Sequence, residues 1–187
     1  MYYERIYGFD NLHKAFKLAR RGKRWKPATA RFEVNLLENL LRLSRELQDK
    51  TYELSEYHTF KVYEPKERDV MSNSFRDKVV QHSLCDNVLE ILLRKNFLYD
   101  DYASQVGKGT DFGLNRLDGF MHKFYRQHGL EGWVLKCDIR KYFYSIPHEY
   151  LKRILEPYVP EEDVRWLLWY IICLLYTSPS PRDKRQS

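Results

Sequence analysis

The chain has 187 residues, enough for one domain or for one domain and part of another. Hydrophobic residues make up 43% and charged residues 31%, so a core under a well-solvated surface is expected; the formal net charge of +6 suits a polyanionic partner but also an ordinary mildly basic enzyme. Cys85, Cys137 and Cys173 are odd in number and widely spaced, which excludes a zinc-ligand spacing and argues against a disulfide framework, in keeping with a reducing, cytoplasmic compartment. The start, Met1-Tyr2-Tyr3-Glu4-Arg5, is too polar for a signal peptide, and the apolar run Trp166 to Tyr176 is too short to cross a bilayer, so no membrane partner is expected.

In chain order, Asp10 to Arg21 reads as a short helix with Leu12, Ala15, Phe16 and Ala19 on one face. A basic knot, Arg20-Arg21-Gly22-Lys23-Arg24-Trp25-Lys26, follows and ends at Pro27. One long amphipathic helix is predicted from about Ala30 to Asp49, with Val34, Leu37, Leu40, Leu41 and Leu47 at helical spacing. At His58 the period changes: Thr59 to Glu64 alternates like a strand, Pro65-Lys66-Glu67 turns, and Arg68 to Met71 returns as the second arm of a hairpin. Ser74 is placed to cap the next helix, with Asp77 in its first turn and Val79, Val80, Leu84, Val88, Ile91 and Leu92 as its buried stripe.

Phe97 to Gly109 reads as a loop, and Thr110 or Asp111 as the cap of a helix to about Arg126 carrying Leu114, Leu117, Phe120, Met121 and Phe124. Gly129 and Gly132 bracket a turn into a predicted buried strand, Trp133 to Ile139, in which Val134, Lys136 and Asp138 share a face. Pro147 opens a helix with Tyr150, Leu151, Ile154 and Leu155, broken by Pro157 and Pro160. A last helix starts near Glu161 with Val164, Leu167, Leu168 and Ile171. Helices, a hairpin, then helices around one central strand indicate an α+β fold. That strand has no evident partners after it, and the Ser/Pro/basic tail beyond Tyr176 reads as disordered or as translated adapter sequence, so no function is assigned from about Leu174 onward.

The run from Trp133 to His148 carries the chemistry. Asp138 at a strand end, with the backbone carbonyl of Ile139 beside it, offers two hard oxygen ligands of the kind magnesium takes. An isolated aspartate there would more often cap a turn; the whole string favours the metal. Nucleotidyl transfer uses such ions to clamp the attacking oxygen and the leaving phosphate. Lys66 and Arg68 flank the hairpin tip, where a point charge and a planar fork suit a triphosphate and a closing hairpin completes a site. Arg140 and Lys141 balance phosphate charge or form a solvated edge. Arg20, Arg21, Lys23 and Arg24 around Trp25 are candidates for gripping nucleic-acid phosphates and stacking a base, with a solvated charge cluster as the alternative. Lys108, within Gly107-Lys108-Gly109-Thr110, is a further nucleic-acid candidate, while Gln81 and His82 read as a polar helix face.

Leu135-Lys136-Cys137-Asp138-Ile139-Arg140-Lys141-Tyr142-Phe143, with Ser145, Ile146 and His148 behind it, resembles the first catalytic-aspartate motif of reverse transcriptases. Tyr63 to Arg68, Phe75 to Cys85, Asp101 to Ser104 and Gly107 to Thr110 resemble the fingers of bacterial reverse transcriptases, those of diversity-generating retroelements most, with group II intron and retron enzymes as relatives. The resemblance covers about Asn11 to Leu168. It implies RNA-directed DNA synthesis with Mg2+, deoxynucleoside triphosphates, an RNA template, a DNA primer and a small accessory protein. It implies a right-hand polymerase fold with an N-terminal helical extension (1–57), helix-rich fingers with a hairpin (58–130) and an incomplete palm (131–173), and the adapter-like composition marks 174–187 as a non-native tail. Asp138 then is the catalytic metal ligand, Phe143 the ring that excludes a ribose 2′-hydroxyl, and Tyr142 and Lys141 its nucleotide-contacting neighbours. The family's second metal motif, Tyr-x-Asp-Asp, is missing; Tyr99-Asp100-Asp101 lacks the spacer and precedes Asp138, so the chain is expected to be inactive alone. Two other readings stand beside it: a non-catalytic RNA-binding module, and a reverse-transcriptase-like defence protein making untemplated DNA.

Overall fold

The computed structural model describes residues 1–63, 67–103, 105–139 and 145–177. Helices α1 (Tyr2–Tyr7), α2 (Phe9–Ala19), α3 (Pro27–Val34) and α4 (Leu36–Gln48) precede an antiparallel hairpin of β1 (His58–Val62) and β2 (Arg68–Ser72). Then come α5 (Phe75–Leu84), a π turn (Cys85–Leu89), α6 (Glu90–Leu93), α7 (Thr110–His128), α8 (His148–Leu155) and α9 (Glu162–Thr177). The described residues are therefore helix-rich with one two-stranded sheet, an α+β composition. They form two compact units, one of Met1–Leu92 with the chain from Pro147 onward, the other Leu93–Ile146.

The first unit holds the core. Leu12, Ala15, Phe16 and Ala19 of α2 are buried, as their spacing predicts, with Leu40, Leu43 and Leu47 of α4, Val79, Val80 and Leu84 of α5, and Val164, Leu167, Leu168 and Ile171 of α9. Fully burying each large side chain is worth ~1.5–3 kcal/mol. Phe16, Phe32 and Phe75 join α2, α3 and α5, with ring centroids 5.3 to 6.1 Å apart. The Glu161 carboxylate accepts from the Tyr2 and Tyr3 amides at 2.6 and 3.1 Å, supplying partners that the first turn of a helix lacks. Leu151 and Leu155 of α8 pack against the core, while Tyr150 and Ile154 of the predicted apolar set are exposed.

Two predicted helices are interrupted. The single helix predicted from Ala30 to Asp49 is broken at Asn35, whose φ of −111° and ψ of 43° are not helical. Val34 ends α3 and is 80% exposed, and the break gives α4 its own phase, so Leu37 and Leu41 face out and Leu43 joins the buried stripe. The π turn interrupts the helix after Leu84 in the same way, leaving Ile91 exposed. The hairpin forms as predicted, with register running from His58 opposite Ser72 to Val62 opposite Arg68. Ser74 caps α5, its Oγ accepting from the Asp77 amide.

In the second unit the predicted α7 is present, but Gly109 occupies the cap position and neither Thr110 nor Asp111 caps, because Thr110 is already helical. Its predicted core stripe, Leu114, Leu117, Phe120, Met121 and Phe124, is exposed. Periodicity reports that a face is apolar; it does not supply what covers it. Two glycines fit rings closely: a Cβ on Gly113 would lie 2.8 Å from the Tyr102 ring, and one on Gly132 would lie 2.6 Å from Phe124. The predicted buried strand Trp133 to Ile139 is also corrected. Among the described residues it has no ladder partner, and Trp133 is 101% exposed. A strand exists only where its backbone donors and acceptors are paired.

Candidate functional site

Asp138 lies near the end of that unpaired segment and is exposed. Among the described residues it has no ion pair or hydrogen bond, and no group of three metal-ligating side chains forms. Among the described residues no lysine or arginine holds its carboxylate. Ile139, whose carbonyl is the second expected ligand, is exposed as well. Lys141, Tyr142 and Phe143, with Arg140, lie outside the described residues, as does Lys66 at the hairpin tip. Arg68 opens β2, opposite Val62. Lys61 and Glu67 form an ion pair beside the tip.

The roots of the hairpin converge on one carboxylate. Asp77, 0% exposed, accepts from the Tyr52 hydroxyl at 2.8 Å, the Ser55 amide at 3.1 Å and the Ser74 hydroxyl at 2.7 Å. Burial, reinforced by the charge of Asp77, pushes the Tyr52 hydroxyl well above the ordinary tyrosine range. Arg76 donates to the Glu53 carbonyl at 2.8 Å, pairs with Glu46 and lies 4.9 Å over the Tyr52 ring. Lys78 donates to the Ser72 hydroxyl at 2.7 Å. The sequence signalled the Ser74–Asp77 cap. It carried no local sign of Tyr52 and Ser55, which lie 25 and 22 residues before Asp77.

The basic knot divides in two. Arg20 and Arg24 both pair with Glu33, the latter at 2.9 Å, whereas Arg21 and Lys23 are exposed without an ion pair among the described residues. Trp25 is 79% exposed, its indole N–H donates to the Gly22 carbonyl at 3.2 Å, and the Lys26 ammonium lies 5.4 Å over its ring. Burial first, then Lys23 and Lys26, hold the Lys78 ammonium below its usual range, so these cations are neighbours at the start of α5.

Lys108 is used internally. It donates to the Tyr99 and Asp101 carbonyls at 2.7 and 3.0 Å and lies 5.2 Å from the Tyr99 and Phe112 rings. Asp100, read from the sequence as part of a polar loop, binds Arg116 at 2.5 and 3.3 Å, and the Arg116 hydrogen bond lowers its pKa. His82 pairs with Asp86 at 3.1 Å on the polar face expected of it. Among the described residues no helix is long and apolar enough to cross a membrane. No family model matches the chain, and no curated protein matches it significantly.

Proposed function

We propose that the chain is the fingers and the beginning of the palm of an RNA-directed DNA polymerase from a bacterial or phage retroelement. The observation that carries this reading is Asp138: a carboxylate inside the Leu135-to-His148 string that is exposed and without an ion pair among the described residues. A hairpin followed directly by a capped helix, in the order the resemblance requires, supports it.

One carboxylate suits magnesium, which is commonly held by one or two carboxylates together with substrate phosphates and water. Bound there, the ion supplies charge stabilisation for the transferring phosphoryl group. The chain's own residues do the rest. As the resemblance implies, Asp138 would hold the cation and Lys66 and Arg68 would meet the triphosphate. Phe143 rejects a 2′-hydroxyl by collision. Arg21, Lys23 and Trp25 offer phosphate contacts and a stacking face for a single-stranded template. The remaining carboxylates come from a Tyr-x-Asp-Asp segment, which this chain does not contain.

A polypeptide carrying this chain together with such a segment should extend a DNA primer on RNA with Mg2+ and deoxynucleotides. In it, Phe143→Val should raise ribonucleotide incorporation relative to deoxynucleotide incorporation by ~10-fold or more, the scale that specific substrate contacts reach. Unchanged sugar discrimination in an active variant would remove Phe143 from the site. Extension that ignores the template would favour the untemplated-synthesis reading.

A further inference from the structure

The hairpin β1–β2 is exposed along most of β1 and pairs only with itself among the described strands. A lone two-stranded hairpin is marginal in water, so something must hold it. The first turn of α5 does. Three consecutive residues reach both legs: Arg76 to the Glu53 carbonyl, Asp77 to Tyr52 and Ser55 before β1 and to Ser74 after β2, and Lys78 to Ser72 at the end of β2. The leg before β1 and the leg after β2 are thus tied to a single buried carboxylate, flanked by two cations that each hold one leg.

We infer that Arg76-Asp77-Lys78 is the mount of the hairpin, and that Asp77 is its central positioning residue. The buried core behind the mount includes no residue of β1 or β2: Phe75 packs on Phe16 of α2 and Phe32 of α3, and Val79 and Val80 are buried with it. Loss of one tie therefore loosens the hairpin before it loosens the helices. Resting on the polymerase reading, the mount sets where Lys66 and Arg68 meet a triphosphate.

The test is amide hydrogen exchange on the chain itself. Asp77→Asn turns an N–H2 toward its donors and disturbs the helix cap, so the variants are Tyr52→Phe, which removes one donor and keeps the ring, and Lys78→Met, with Lys78→Arg as the conservative rescue. Ser44→Ala, which loses a bond to the Tyr7 carbonyl and none of the ties to the hairpin, is the control. A hydrogen bond to a charged group is worth enough that its loss should speed exchange in His58–Ser72 about 10-fold. Exchange in α2 and α4 should be unchanged, and Lys78→Arg should restore protection. Hairpin exchange that does not move, or that rises equally with the core helices, overturns the mount. In the active polymerase, Tyr52→Phe should raise the deoxynucleotide KM with kcat retained. A loosened hairpin with an unchanged KM would leave the mount standing and refute the triphosphate role of the hairpin.

Discussion

Glu33 shows how one side chain changes the meaning of a basic motif. Four cations in the Arg20–Arg24 run look equivalent in sequence, yet Arg20 and Arg24 spend their charge on the same carboxylate while Arg21 and Lys23 do not. Each cation that neutralises a phosphate contributes about 0.7 to the slope of log affinity against log salt for single strands. Replacing Arg21 and Lys23 with alanine should therefore lower the RNA-binding slope by about 1.4, and Glu33→Gln should raise it by freeing two arginines. Titrations against single-stranded RNA across a salt series measure both; an unchanged slope in Glu33→Gln would mean that the arginines do not face RNA. Asp77 makes the complementary point, since a carboxylate in a first helical turn reads locally as a cap while its other donors come from a distant segment.

At the scale of elements, legibility follows the range of the interaction. The hairpin, the Ser74 cap and the buried faces of α2, α5 and α9 were readable, because alternation, capping and helical periodicity are local and the partners exist. The continuous helix through Asn35 and the straight stripe to Ile91 were not readable, because one non-helical residue or one π turn resets the phase without disturbing the composition. Trp133 to Ile139 has the pattern of a central strand and lacks a ladder among the described residues, so its pattern describes a demand for partners. The candidate site divides likewise. Asp138 is proposed from its local string alone, whereas the Asp77 junction depends on contacts across 22 to 25 residues that no local pattern encodes.

For the molecule as a whole, stability should fall in alkali. Tyr3 and Tyr52 are buried, and burial first, with Asp163 acting on Tyr3 and Asp77 on Tyr52, raises both hydroxyls far above the ordinary range. In the unfolded chain both ionise near pH ~10, so above that pH the unfolded state binds fewer protons than the folded one. Their contribution is complete below pH ~10 and is lost as pH rises, at about 1.4 kcal/mol per pH unit for each tyrosine. Denaturant melts between pH ~9 and ~11.5 should show this slope, shared with Tyr57, whose hydroxyl burial also raises, and Tyr52→Phe should remove about 1.4 kcal/mol per pH unit of it. A slope equal in the variant and the parent would mean that Tyr52 is ionisable in place.

Primer extension on RNA tests most directly whether Asp138 holds the catalytic cation of a template-reading DNA polymerase, as proposed. The assay uses a polypeptide that joins this chain to a Tyr-x-Asp-Asp segment, as the parent and as Asp138→Ala. Removing a mere partner of a metal ligand costs about 10–100-fold, so loss of the ligand itself should cut extension by more than ~100-fold, with RNA binding and folding unchanged. Extension by Asp138→Ala at the rate of the parent would contradict the account.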